Sequence, residues 1–167
     1  LIERGAAHGL VPVGLGARDT LRLEKGYLLS GQDFLWPGLG TEPDAALPDG
    51  FLARDSAETA VPYGLDIEHD FVGRERVLAS LESGLRWEGL ICLERGPSPR
   101  PGHAVLSSEA DDAEPLGYVT SGGPSPSLER KGIAMAYLEG VEQGQDVWIQ
   151  ASPRRRVRAQ VCRPPFV

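Results

Sequence analysis

The alternation that decides the fold runs from Arg156 to Cys162, in the stretch RVRAQVC. Its apolar residues are Val157, Ala159 and Val161, and arginine or glutamine stands between them. Successive side chains of a β-strand point to opposite faces, so a period of two places the apolar set on one face. We predict that these three side chains point into a core and that the intervening polar side chains point outward.

Four further stretches upstream have the same character, being short, rich in β-branched or aromatic residues, and bounded by Gly, Pro or Ser. They are Arg86–Glu94, Leu116–Thr120, Ile133–Leu138 and Val147–Ala151. Five or more short strands with loop spacers and no intervening helix indicate an antiparallel barrel or a sandwich. From Gly84 onward we therefore expect almost no helix.

A first helix is predicted upstream, from Asp19 to Leu29. Asp19 stands near its start, where it would cap the helix or complement its dipole. Leu21 and Leu28 are seven residues apart, which places them two turns apart on one side. Gly26 lies inside the run and weakens its far end.

A second, shorter helix is indicated ahead of the strands. Asp70 precedes it, Val77, Leu78 and Leu81 have helical spacing, and Gly84 is a stop signal.

Residues 34–62 between these helices form an acidic, proline-rich excursion without a sustained period, and we interpret it as a loop-like insertion. Its apolar residues Phe34, Leu35, Trp36 and Phe51 predict that it packs on the body of the protein.

The composition argues against two classes of function. The net charge of −7 at pH 7 is unfavourable for a general nucleic-acid binder, which needs a basic face. No run of 18 apolar residues occurs, so no membrane span is predicted.

Cys92 and Cys162 lie in strand-like runs without a CxxC pattern, which favours free buried thiols of a cytosolic protein and leaves a disulfide between them open. The chain starts at Leu1 without a leader, so we expect a piece of a longer protein.

The glycine-containing stretch GLGARD at residues 14–19 does not predict a dinucleotide site, because the third glycine and a βαβ unit are missing. Arg18 emerges where this turn meets the helix. Its planar guanidinium could clamp a carboxylate or a heterocycle there, or form a structural ion pair with Glu24 or a neighbour. Chemistry alone leaves these two roles open.

Three sequence blocks, taken together, resemble the aminomethyltransferase (glycine cleavage T-protein) family. Residues 14–27 read GLGARDTLRLEKGY and resemble the segment that closes the folate-binding part. Residues 70–75 read DFVGRE, and residues 117–128 read GYVTSGGPSPSL, followed by GIAMAY at 132–137. The closing PFV at 165–167 also has a counterpart, so the matched frame spans nearly the whole chain.

The resemblance implies an α+β chain, in which the end of a folate-binding domain (residues 1–84, with the 34–62 insertion) is followed by a C-terminal antiparallel β-barrel (residues 85–167). It implies a cytoplasmic enzyme that transfers a methylene group from an aminomethyl-lipoyl carrier protein to tetrahydrofolate and releases ammonia. Arg18 matches the family arginine that helps to bind the folate. The catalytic aspartate belongs to earlier domains, so we assign no catalytic residue here and expect this chain alone to be inactive.

The sequence departs from the family at residues 59–67, where the expected glutamate and tryptophan are absent. Two alternatives therefore stay open. One is the tail of a flavin-linked dimethylglycine or sarcosine oxidoreductase or a related folate-dependent demethylase. The other is a non-catalytic folate-binding regulator.

Other candidate motifs have plainer interpretations. The Thr120-to-Leu128 segment lacks the lysine of a phosphate loop, and we interpret it as a rigid turn in which Pro124 and Pro126 fix φ and serines cap the backbone. The basic run at residues 154–158 is interpreted as a solvated strand face and turn, with attraction of an acidic carrier or a polyglutamate tail as the alternative. The three histidines, at positions 8, 69 and 103, lack metal-ligand spacing, and no metal is predicted.

Overall fold

The computed structural model describes residues 1–35, 46–59 and 65–167. The helices are α1 (Ile2–Ala6), α2 (Leu15–Lys25) and α3 (Arg74–Ser83). The strands are β1 (Arg86–Cys92), β2 (Ala104–Leu106), β3 (Pro115–Ser125), β4 (Lys131–Leu138), β5 (Asp146–Ser152) and β6 (Arg155–Cys162). A short 3-10 turn, Pro126–Leu128, follows β3. Among the described residues, no helix combines the length and the apolar character needed to cross a membrane.

The six strands close into an antiparallel barrel in the order β1-β4-β3-β2-β5-β6. Strand β1 pairs with β4 on one side and with β6 on the other, which closes the sheet on itself. Closure removes the exposed sheet edges that a sandwich would keep. The predicted class, helices followed by a C-terminal antiparallel barrel, is confirmed, and the sandwich alternative is wrong.

The side chains of β6 point to the two faces as predicted. Val157, Ala159 and Val161 are at most 1% exposed and belong to the cluster that fills the barrel, whereas Arg158 and Gln160 are exposed. The same interior receives side chains from every strand: Leu90, Val105, Val119, Ala134, Ala136, Leu138, Val147 and Ile149 among them. Burial of this apolar surface is the main force that holds the barrel together.

Two strands differ from the prediction. Strand β3 continues past Thr120 to Ser125, so most of the predicted turn is strand and only Pro126–Leu128 is a turn. Pairing with β4 carries β3 through its glycines, and a register shift lies between Val119 and Ser121. Strand β2 was not predicted, because three residues are too few to show a period.

Helix α2 begins earlier and ends earlier than predicted. Gly14 is its N-cap without a side-chain cap bond, and Gly26 ends it with a left-handed φ of 75°. The capping role predicted for Asp19 is therefore wrong, because Asp19 lies inside the helix and pairs with Arg22 at 2.7 Å. Leu21 is 66% exposed, and Leu28 lies beyond the end of α2, so the two residues do not share a helix face.

Helix α3 is confirmed, with Gly73 before it and Gly84 after it, both at positive φ. Val77 is buried and Leu81 is partly exposed, so one side of the helix packs inward.

The described part of the 34–62 excursion packs on the outer face of the barrel. Phe51 makes edge-to-face contacts with Tyr118 and Tyr137, with ring centroids 5.3 and 6.1 Å apart. The Arg54 guanidinium lies over the Phe51 ring at 4.5 Å and over the Tyr137 ring at 4.9 Å. The predicted packing is thus confirmed for Phe51, whereas Trp36 and residues 60–64 of the departing pattern lie outside the described residues.

Candidate functional site

Arg18 lies in the first half of α2, and its side chain is exposed. Its side chain forms no hydrogen bond or ion pair with any residue in the described ranges, and only its backbone N–H donates, to the Gly14 carbonyl. An ion pair with Glu24, one of the two roles left open above, is absent because the Glu24 carboxylate is bound elsewhere. Arg18 therefore presents a free guanidinium, and its role in ligand binding stays a prediction.

The helix surface around Arg18 is apolar and uncovered in this chain. Leu15 is 80% exposed and Leu21 is 66% exposed, each three residues from Arg18 on the helix surface. Val11 and Val13, just before the helix, are 74% and 75% exposed. A cation set in an exposed apolar strip suits a ligand or a neighbouring domain with both apolar and anionic parts.

Glu24 anchors the last turns of α2 to the barrel. Its carboxylate accepts hydrogen bonds from the Ser125 hydroxyl at 2.5 Å, the Ser127 backbone N–H at 2.9 Å and the Ser127 hydroxyl at 3.0 Å. The Ser125 hydroxyl also accepts the Leu128 backbone N–H, which confirms the predicted capping by serine. The Ser125 bond, followed by the Ser127 backbone bond, lowers the pKa of Glu24 although burial opposes this.

The lowered pKa of Glu24 predicts a pH-dependent contribution to stability. A carboxyl group with a lowered folded-state pKa stabilises the fold above its unfolded pKa, about 4.3, and loses that contribution as pH falls through the folded value. Glu24→Gln should reduce the free energy of unfolding at pH 7 by about 1–3 kcal/mol and flatten its decline below about pH 4.5. Urea unfolding between pH 3 and 7 measures both. The same change at exposed Glu139 should leave the profile unaltered, and parallel profiles for Glu24→Gln and the parent would contradict the prediction.

A second carboxylate, Asp33, is completely buried between α2 and β3. It pairs with Arg22 at 2.6 Å and accepts the Leu29 backbone N–H at 2.9 Å. The hydroxyls of Thr120 and Ser121 each donate to its other oxygen at 2.6 Å. Sequence reasoning missed this residue. The signal was present in the hydroxyl pair of the GYVTSGGPSPSL block, but its partner lies almost ninety residues away.

The titratable groups of the barrel wall are poor nucleophiles. Burial raises the pKa of Cys92 and of Cys162 to about 11, so both thiols stay protonated near neutral pH. Both cysteines are free; Cys92 belongs to the barrel interior and Cys162 packs against the outer cluster around Leu23. The disulfide left open by the sequence is therefore absent. Burial, with the Asp33 charge second, also raises the pKa of the Tyr137 phenol.

The remaining candidates have structural roles. In the basic run, Arg158 pairs with Asp146, and Arg156 binds Gln150 and the carbonyls of a neighbouring loop. This fits the solvated strand face that was predicted. Within residues 1–35, 46–59 and 65–167, no group of three His, Cys, Asp or Glu side chains is placed to hold a metal ion. A cavity of about 390 Å³, lined by residues 92–97 and 129–132, contains none of the residues of α2.

Comparison with known proteins gives a consistent relationship. The family model described as the glycine cleavage T-protein C-terminal barrel domain matches residues 88–167. An aminomethyltransferase of Frankia alni is 39% identical over 171 residues, which cover 100% of this chain and 41% of that protein. One from Halalkalibacterium halodurans is 33% identical over 172 residues, with 99% and 40% covered.

A solved structure shows the same likeness. The crystal structure of glycine cleavage system aminomethyltransferase T from Bartonella henselae superposes with a TM-score of 0.66 at 27% identity, over 93% of this chain and 39% of that one. The chain thus spans about two fifths of the length of these relatives.

Proposed function

We propose that the chain serves tetrahydrofolate-dependent aminomethyl transfer. The proposal starts from two matches: residues 88–167 match the glycine cleavage T-protein C-terminal barrel domain, and the whole chain matches a portion of aminomethyltransferases. In this reaction a methylene group passes from an aminomethyl-lipoyl carrier protein to tetrahydrofolate and ammonia is released. The proposal places the enzyme in the cytoplasm, with folate and the carrier protein as its partners.

The observation that carries this proposal is the free guanidinium of Arg18 within an apolar strip. Folates combine a planar heterocycle with carboxylates, and Arg18 beside Leu15 and Leu21 offers a charged donor next to apolar surface. Arg18 would bind and orient the ligand, and the leucines would exclude water from it. Tetrahydrofolate, when bound, supplies the amine nitrogens that accept the methylene group.

We further propose that residues 1–84 are the end of a folate-binding domain and residues 85–167 its partner barrel. The exposed apolar residues before and on α2 support this division, because a single isolated domain rarely leaves such a strip uncovered. The catalytic carboxylate is proposed to lie in the part of the enzyme that this chain does not span.

Replacing Arg18 tests the proposed folate contact. In the full-length protein that contains this chain, Arg18→Ala should weaken tetrahydrofolate binding roughly ten- to a hundred-fold, because a charge-assisted contact contributes about 1.5–3 kcal/mol. Arg18→Lys should also weaken binding, because it keeps the charge but loses the planar fork. Calorimetric titration measures the affinity, and thermal melts check the fold.

Arg154→Ala is the matched control, since Arg154 is an exposed arginine at the turn between β5 and β6. It should bind tetrahydrofolate normally. If Arg18→Ala also binds normally but melts many degrees lower, Arg18 is a structural residue and the proposed site is wrong.

A further inference from the structure

Two buried carboxylates join α2 and the segment after it to one stretch of the barrel. Asp33 is 0% exposed and Glu24 is 6% exposed. Asp33 binds the hydroxyls of Thr120 and Ser121, and Glu24 binds Ser125 and Ser127. All four partners lie in residues 120–127, and they are 87 to 103 positions away in sequence. This stretch therefore binds both acids, Asp33 at its beginning and Glu24 at its end.

The two contacts hold the last turn of α2 at separate positions around the helix. The last turn is attached directly through Glu24. Arg22, two residues earlier in the same turn, is attached through Asp33, which its guanidinium binds at 2.6 Å. Leu23, between them in sequence, packs with Ile133 and Met135 on the outside of the barrel. A helix fixed at two points and packed between them can neither slide nor rotate freely.

Apolar packing alone would not impose this precision. Buried ion pairs are weak evidence for added stability, and hydrophobic residues of similar size often serve as well. Hydrogen bonds depend on direction, however. A buried polar network whose hydrogen bonds are all made therefore selects one arrangement of helix and barrel, where apolar surfaces would allow several. The choice of carboxylates and hydroxyls at this junction therefore indicates a requirement for one exact placement of α2.

The placement of α2 determines where the Arg18 side chain lies. It lies one turn before Arg22, about 6 Å along the helix axis, on a surface where positions four apart are neighbours. Arg22 is in turn held by Asp33 on one side and by Asp19 on the other. Any rotation of α2 would move the Arg18 guanidinium by a large arc, because that side chain is long.

We propose that Asp33 and Glu24 are positioning residues. They fix the position of α2 against residues 120–127, so that Arg18 meets its ligand in one orientation. This inference rests on the proposed function, since it assigns the carboxylates their purpose through Arg18. The hydroxyls of residues 120–127 donate the hydrogen bonds that hold the two carboxylates. In this way the barrel contributes to ligand binding without touching the ligand.

Hydrogen exchange on the 167-residue chain tests the anchoring. Asp33→Asn keeps the side-chain shape but removes the charge that Arg22 requires. Amides of α2 should exchange on the order of tenfold faster or more, while amides of β4 keep their protection. Asp146→Asn, the same change at an ion pair on the far strand β5, should leave α2 unaltered. Equal losses in α2 and β4, or no loss in α2, would overturn the proposal.

A double-mutant cycle on tetrahydrofolate binding by the full-length protein tests the route through Arg18. Asp33→Asn should lower affinity several-fold in the parent and have little further effect once Arg18 is alanine. Additive losses would show that Asp33 does not act through Arg18 and would overturn the positioning role. Normal binding by Arg18→Ala would instead refute the proposed function, and the exchange result would still decide whether the carboxylates fix α2.

Discussion

Gly117→Ala should abolish the folded barrel. Gly117 lies in β3 with a φ of 150°, opposite Leu138 of β4. An added Cβ would lie 1.9 Å from the carbonyl oxygen of Tyr137, which is backbone and is held in the β3–β4 ladder. Overpacking that meets flexible side chains costs about 1–3 kcal/mol, and a clash with fixed backbone exceeds that range. Circular dichroism and urea unfolding should show loss of the cooperative transition or a stability lower by more than about 3 kcal/mol.

Gly140 provides the matched control for this effect. It also has a positive φ, 65°, but no atom lies within 4 Å of the position its Cβ would occupy. Gly140→Ala should cost only the backbone strain, about 1 kcal/mol, and the variant should fold. If the two alanine variants lose stability equally, the close approach at Gly117 is not what restricts that position to glycine.

The barrel was predictable where the sequence carries a local period. The alternation in β6 fixes which side chains enter the core, and the structure has Val157, Ala159 and Val161 there. The far half of β3 was not predictable from propensity, because Gly122, Gly123 and Pro124 usually break strands. Pairing with β4 as far as Ser125↔Lys131 overrides that local tendency.

The prediction of the boundaries of α2 was wrong for a related reason. Asp19 has the chemistry of a cap, but Gly14 takes that position and Asp19 binds Arg22 from within α2. The Gly26 signal was sound, and the helix ends there with a left-handed residue. Local residue preferences identified that a helix exists, but the predicted run from Asp19 to Leu29 is displaced by four residues at each end from the observed Leu15–Lys25.

The candidate site was only half predictable. Arg18 was identified from its place in the GLGARD block, and its exposure fits a ligand-binding role. Asp33 and Glu24 were missed as partners of residues 120–127, because contacts across about a hundred residues leave no trace in periodicity or composition. Such contacts become visible only once the barrel brings β3 beside α2.

The 167-residue chain on its own should show no tetrahydrofolate-dependent ammonia release above background. Ammonia release needs a positioned acid or base, a contribution of about 10²–10⁴ in rate. In the described part of the chain, the carboxylates nearest to Arg18 along the sequence are already engaged: Asp19 pairs with Arg22, and Glu24 binds serines. The thiols of Cys92 and Cys162 and the Tyr137 phenol all have raised pKa values and remain protonated.

The measurement is ammonia formed from an aminomethylated lipoyl carrier protein, with and without tetrahydrofolate, using the purified chain. Supplying the remaining three fifths of a relative, such as the Frankia alni aminomethyltransferase, as a separate polypeptide should restore turnover if the catalytic carboxylate resides there. Restoration should fail when this chain carries Arg18→Ala at limiting folate, because the assembled pocket then lacks its guanidinium. Turnover by the chain alone would mean that one of its own groups performs the proton transfer, and the division between a binding part here and a catalytic part elsewhere would be wrong.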